Sequence, residues 1–291
     1  MIINLQKDYK KLMMEKINNS NLRLPENFSD DRLIIHYINY LRKKSFAGPH
    51  KIVKSSNFSC PPEYKKGFTK LEEIISNGGD ITPYFNRTAS DLSKYDDLFS
   101  EWGVLHFHLG DEFIKGEHLV KRGNPVLFAY LHEDTVYFID IYKHGHWTDF
   151  GVIQTMFDNW PEIINPYVIP DAISLNKDIT SSELKETRKS GSLVLFTIKD
   201  SNGKNICLMP PGMGLNTARS SIQDTRIYDD AMNKLREIQL HLISIEDEIK
   251  LDMENRGIIL NQEISFELMS FNEQELYLLD SNHQYTITYG L

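Results

Sequence analysis

From Tyr228 to Ile249, apolar residues recur at alternating steps of three and four: Tyr228, Ala231, Leu235, Ile238, Leu242, Ile245 and Ile249. Only a helix of about 3.6 residues per turn gathers such positions on one side. The pattern predicts one long helix over roughly 219–256, stopped by Gly257. Met232, Leu240, Ile243 and Leu251 widen its apolar face. A wide face favours packing inside the chain's own fold. The heptad rhythm also fits a homodimer seam or a partner protein docked along 228–249.

The rest of the chain divides by pattern. Residues 28–44 predict an amphipathic helix capped by Ser29 or Asp30 and ending in Arg42-Lys43-Lys44, cations suited to a helix C-terminus. A second helix is predicted near 68–77, stopped by Gly78-Gly79. From Gly103 onward strands dominate. Val104–Leu109, Val126–Leu131 and Thr135–Tyr142 alternate or run apolar, with the turn His132-Glu133-Asp134 between the last two. A helix is predicted over 149–158, and a hairpin around Asn202-Gly203 joins Ser192–Lys199 to Asn205–Leu208. Residues 263–289 predict a small antiparallel meander. The fold class expected is therefore α+β: a basic helical N-terminal part (1–100), an antiparallel-sheet core (101–210), then the long helix and terminal β-meander (211–291).

Charge is unevenly placed. The net charge is −9, yet the first 70 residues hold 14 Lys+Arg against 6 Asp+Glu. A basic segment on an acidic protein marks a nucleic-acid or partner surface, or a segment neutralised by the chain's own acidic remainder. Overall acidity argues against non-specific duplex binding, which needs many phosphate contacts. No apolar run reaches the roughly 18 residues that cross a bilayer, so no membrane partner is expected. Two cysteines, Cys60 and Cys207, form no C-x-x-C pair, and the N-terminus lacks a signal-peptide pattern. Both point to a cytoplasmic protein with reduced thiols.

Six of the ten histidines, at 106, 108, 118, 132, 144 and 146, fall within 41 residues. His106 and His108 are two apart on a predicted strand and share a face, opposite Leu105, Phe107 and Leu109. The run Tyr142-Lys143-His144-Gly145-His146-Trp147 follows a strand end that a hairpin brings near. The expected result is a polar, imidazole-rich sheet surface. It supports phosphate chemistry, in which His106 and His144 form an acid–base pair, because imidazole titrates near neutrality. His108 and His146 would support them. Arg122 or Lys143 would stabilise developing charge, and Tyr142 and Trp147 would contact or stack on RNA bases. The same residues fit a zinc or manganese site with Asp140 or Glu112 as further ligands. They also fit a purely structural role at strand ends. The Pro210-Pro211-Gly212-Met213-Gly214 loop before the long helix could hold an anion or simply turn the chain; it does not match a Walker loop.

The segment Trp102-Gly103-Val104-Leu105-His106-Phe107-His108-Leu109, with Leu127-Phe128-Ala129 and His144-Gly145-His146-Trp147, resembles a scattered group of uncharacterised bacterial proteins that carry W-G-x-x-H-x-H-L, L-F-A and H-G-x-W. That resemblance brings no function. A weaker one is to RelE-type toxins, small ribonucleases with a strand-turn-strand core. Lys121-Arg122, Val126–Tyr130, Val136–Tyr142 and Lys143-His144 can be laid on their pattern. This chain departs from it in being far longer, acidic, and in placing two histidines before the hairpin. The expectation is a cofactor-free, metal-independent endoribonuclease acting on RNA, of a toxin or phage-defence kind. The alternatives are a binding or regulatory module working through the heptad helix, and a metal-dependent hydrolase.

Overall fold

The computed structural model describes residues 1–143, 149–170, 180–190, 192–272 and 274–291. The chain is α+β. It divides into two compact units: one of residues 1–22, 26–37 and 225–291, the other of residues 23–25 and 38–224. The expected consecutive parts 1–100, 101–210 and 211–291 do not coincide with these units, because the two ends of the chain fold together.

In the first unit, β1 (Ile2–Ile3) precedes α1 (Leu5–Asn18), whose residues Leu5, Tyr9, Met13 and Ile17 recur at three- and four-residue steps and are buried. The start of α2 (Asp30–Lys44) belongs here, and Ser29 caps it by accepting from Arg32 N–H. The heptad side chains Tyr228, Leu235, Ile238, Leu242 and Ile249 are buried in the single chain. They are core, which removes them as a dimer or partner seam. Leu240, Ile243 and Leu251, three of the four residues that widened the face, are exposed, and Met232 is half-buried. The predicted single helix is two: α8 (Ile222–Ser244) and α9 (Glu246–Asn255). Ile245 steps out of the helical well (φ −104°, ψ 20°), and Glu246, Asp247 and Glu248 then occupy the first turn of α9. Acidic residues suit a helix N-terminus, and Glu246 also accepts from the Met1 amine at 3.2 Å. The meander is present as β8 (Ser265–Phe271), β9 (Glu275–Asp280) and β10 (Tyr285–Gly290), antiparallel in that order, with β1 added in parallel along β8.

The second unit is built on a four-stranded sheet in the order β2 (Lys51–Lys54), β5 (Thr135–Lys143), β4 (Pro125–His132), β3 (Val104–His108). β3–β4 and β4–β5 are antiparallel, while β2 runs parallel to β5, so the core sheet is mixed rather than antiparallel. The N-terminal part is not all helical either, since it supplies that strand. Glu133, at φ +51°, turns β4 into β5. One face of the sheet carries Leu105, Phe107, Leu127, Ala129, Val136 and Phe138, packed with Phe46 and with Phe68, Leu71 and Ile75 of α3 (Lys65–Asn77). Gly78, at φ +80°, ends α3.

The other face carries Val104, Val126, Phe128 and Ile139. It packs with Leu98 and Trp102 of α4 (Asp97–Trp102), with α5 (Asp149–Asn159), α6 (Pro161–Ile164), Leu184 of α7 (Ser181–Lys189), and the hairpin β6 (Phe196–Lys199) and β7 (Asn205–Leu208). The sheet is thus covered on both sides. The expected imidazole-rich open surface is instead the floor of a second core layer.

Candidate functional site

Eight residues upstream of the start of β3, the chain enters α4 at Asp96. This residue does two things at once. Its Oδ1 accepts from the Phe99 backbone N–H at 3.1 Å, capping α4. Its Oδ2 lies 3.2 Å from Nδ1 of His106, and the Asp96 side chain is only 13 % exposed. Burial alone would raise the Asp96 carboxyl. The hydrogen bond and charge of His106, with Lys43 nearby, outweigh burial and hold it at about 2. His106 sits on the second core face, its ring 5.8 Å from that of Phe128, and its side chain keeps 21 % exposure. With Nδ1 engaged by the carboxylate, Nε2 is the nitrogen left for chemistry.

That exposure opens onto a cavity of about 270 Å³ whose walls include Lys43, Lys94, Asp96, His106, Asp149 and Arg188. Lys43 is buried. Burial pulls its ammonium below the ordinary lysine range, against the opposing pull of Asp96 and Asp224. It lies 5.5 Å over the Phe99 ring. Arg188 of α7 lines the cavity as well. It donates to Oε1 of Glu101 at 2.8 Å, to Oε2 of Glu101, and to Oδ2 of Asp149 at 2.5 Å. Burial raises the Glu101 carboxyl above its ordinary value even with Arg188 alongside. Asp97, which also lines the cavity, is raised by burial too, with Asp96 and Asp149 adding to the effect. The cavity walls therefore hold one carboxylate kept firmly ionised, Asp96, one pushed toward its neutral form, Asp97, and an oriented imidazole. Divergent environments of this kind are how one site supplies both basic and acidic groups.

The sequence-derived residues separate. His108 shares the face of His106 but is buried, with ring centroids 6.4 Å apart and nearly perpendicular. It does not line the cavity. Tyr142 is half-buried on the same face, packed edge-on to Phe128, with its hydroxyl 3.1 Å from that of Thr155. Arg122 and Lys143 are exposed and outside the cavity walls. His144, His146 and Trp147 lie outside the described residues. His118 pairs with Asp80 at 3.0 Å on an exposed loop, and His132 stacks on Tyr130 at the β4–β5 turn. Among the described residues, no group of three or more His, Cys, Asp or Glu is arranged to hold a metal ion. Glu112 pairs with Lys121 at 2.5 Å, and Asp140 accepts from the Ile141 N–H at 2.8 Å.

The basic segment is partly neutralised within its own unit: Arg42 pairs with Asp224 at 2.5 Å, Lys54 with Glu72 at 2.5 Å and Lys66 with Asp111 at 2.9 Å. The Pro210–Gly214 loop packs on α4. Gly212 N–H donates to the Glu101 carbonyl at 2.8 Å, and a Cβ at Gly212 would lie 2.0 Å from the Ser100 carbonyl oxygen. That close approach accounts for the glycine, and the loop serves as a turn. No family model, curated protein or solved structure matches this chain. Among the described residues no helix is long and apolar enough to cross a membrane.

Proposed function

We propose that the protein is an endoribonuclease whose reaction centre is the cavity beside His106. The observation that carries this reading is the Asp96–His106 pair at 3.2 Å on the wall of an open cavity that also presents Lys43. A carboxylate on Nδ1 fixes the tautomer and stabilises the imidazolium that forms when Nε2 takes a proton. Nε2 of His106 removes the proton of an RNA 2′-hydroxyl. The freed O2′ forms a bond to phosphorus, the P–O5′ bond breaks, and O5′ takes a proton from solvent, to which the cavity is open. The products are a 2′,3′-cyclic phosphate and a 5′-hydroxyl. Lys43 and Lys94 face the charge that builds on the phosphoryl oxygens. The proposal rests on this cavity rather than on the likeness to RelE-type toxins, whose basic position falls on exposed Lys121 and Arg122.

The test is cleavage of total cellular RNA by wild type and His106→Ala, with and without chelator. A positioned imidazole typically contributes about 10²–10⁴-fold, and His106→Ala is expected to lose activity by that order while keeping its fold. Cleavage abolished by chelator and restored by zinc or manganese would replace this reading with a metal-dependent hydrolase. No cleavage by wild type under any condition would remove the enzyme reading.

A further inference from the structure

A second cavity, of about 220 Å³, is also lined by α4 within the same unit. Leu98 of α4 lines the His106 cavity, whereas Phe99 and Trp102 line this one. The neighbouring residues Lys43 and Arg42 divide in the same way. The walls of the second cavity are aromatic. Tyr130 and Tyr167 are half-buried, and Trp102, fully buried, meets Tyr167 edge-on at 6.2 Å. Burial pushes the Tyr130 phenol up to about 12, and its hydrogen bond to Tyr167 adds to the effect, so it stays a neutral donor. The indole N–H of Trp102 is buried and finds no acceptor among the described residues. Polar groups also reach the cavity. Arg42 and Gln223, bonded to each other at 2.7 Å, bring guanidinium and amide groups to the same walls. These are the groups that pair with the edges of bases.

We infer that this aromatic cavity is a nucleobase subsite for the RNA strand cleaved beside His106. The inference rests on the reading given under Proposed function, with the phosphate near Asp96–Leu98 at the start of α4 and a neighbouring base near Phe99 and Trp102. The space exceeds the roughly 150 Å³ that holds a benzene ring. Around it stand the half-buried rings of Tyr130 and Tyr167 and the polar groups of Arg42 and Gln223. An aliphatic occupant would make no use of the Arg42 and Gln223 groups on the wall. A quaternary ammonium, the other common guest of aromatic walls, would face the Arg42 cation.

Calorimetric titration of adenosine, guanosine, cytidine, uridine and choline into the full chain tests this, for wild type, Tyr167→Leu and Tyr130→Leu, each first checked for a wild-type melting transition. At least one nucleoside is expected to bind wild type. Both variants are expected to weaken that binding about 10- to 100-fold, the scale of one lost stacking partner. The same variants are expected to raise KM for RNA more than they lower kcat. Nucleoside binding of this kind by a wild type that cleaves no RNA supports the subsite and removes the His106 chemistry. The subsite is overturned if no nucleoside binds at millimolar concentration, if choline binds instead, or if folded Tyr167→Leu and Tyr130→Leu bind nucleosides as wild type does while RNA is still cleaved.

Discussion

Replacing Arg188 with methionine removes a cation held between two carboxylates. The side chains involved are 10 % (Arg188), 5 % (Glu101) and 12 % (Asp149) exposed. Methionine fills much of the volume, so the loss is mainly electrostatic. Removing one partner of a buried ion pair costs about 3–5 kcal/mol, because the remaining charge is stranded away from water. Glu101 is the group stranded. Its carboxyl is already raised by burial with Arg188 present, and without Arg188 it rises further. A carboxyl with a raised folded pKa binds its proton more tightly folded than unfolded, so folding gains as the pH falls toward that pKa. The deficit of Arg188→Met is therefore expected to be greatest at neutral pH and to shrink toward about pH 5. Adding Glu101→Gln is expected to recover part of it at neutral pH. Urea denaturation followed by circular dichroism at both pH values measures this. A deficit below about 1 kcal/mol, the scale of an exposed pair, or one that does not change with pH, would refute the reasoning.

Asp96→Asn keeps a good helix cap but removes the charge that faces His106. Asp96 is held at about 2 against an ordinary 3.8, so its contribution is present above about pH 4 and is lost as the pH falls through about 2; it amounts to about 2 kcal/mol. The variant is expected to lose that part of the acid-denaturation profile and to cut RNA cleavage at neutral pH, both read against wild type. Ile238, 5 % exposed on the buried stripe, is expected to cost on the order of 3 kcal/mol or more when changed to aspartate, by burying an unpaired charge. An unchanged melting temperature would show that the stripe is not core.

Local pattern carried much of the fold. The 3.6-residue period, Ser29 and Gly78 set the limits of α2 and α3, and Asn202-Gly203 set the β6–β7 hairpin, where Gly203 takes φ +77°. The break at Ile245 was not legible, since no proline or glycine marks it. Nor was β2, whose four residues Lys51–Lys54 show no apolar run and pair with a strand more than 80 positions away. The shared face of His106 and His108 followed from strand geometry. Whether that face met water did not, because α5, α7 and the β6–β7 hairpin, all downstream, cover it. The remaining site residues were hidden for a related reason. Lys43 reads as a helix-end cation, Asp96 as one more acid before a helix and Arg188 as part of a charged helix. Only the tertiary fold brings positions 43, 96, 106 and 188 to one cavity.

In the proposed reaction His106 takes a proton from a ribose 2′-hydroxyl. This step is tested most directly with an oligonucleotide carrying a single ribose in an otherwise 2′-deoxy strand, compared with the same strand bearing 2′-O-methyl at that position. One cut is expected, 3′ to the ribose, leaving a 2′,3′-cyclic phosphate, with no cut in the methylated strand and none by His106→Ala. Cleavage of the methylated strand, which has no proton there to lose, would contradict the proposed reaction.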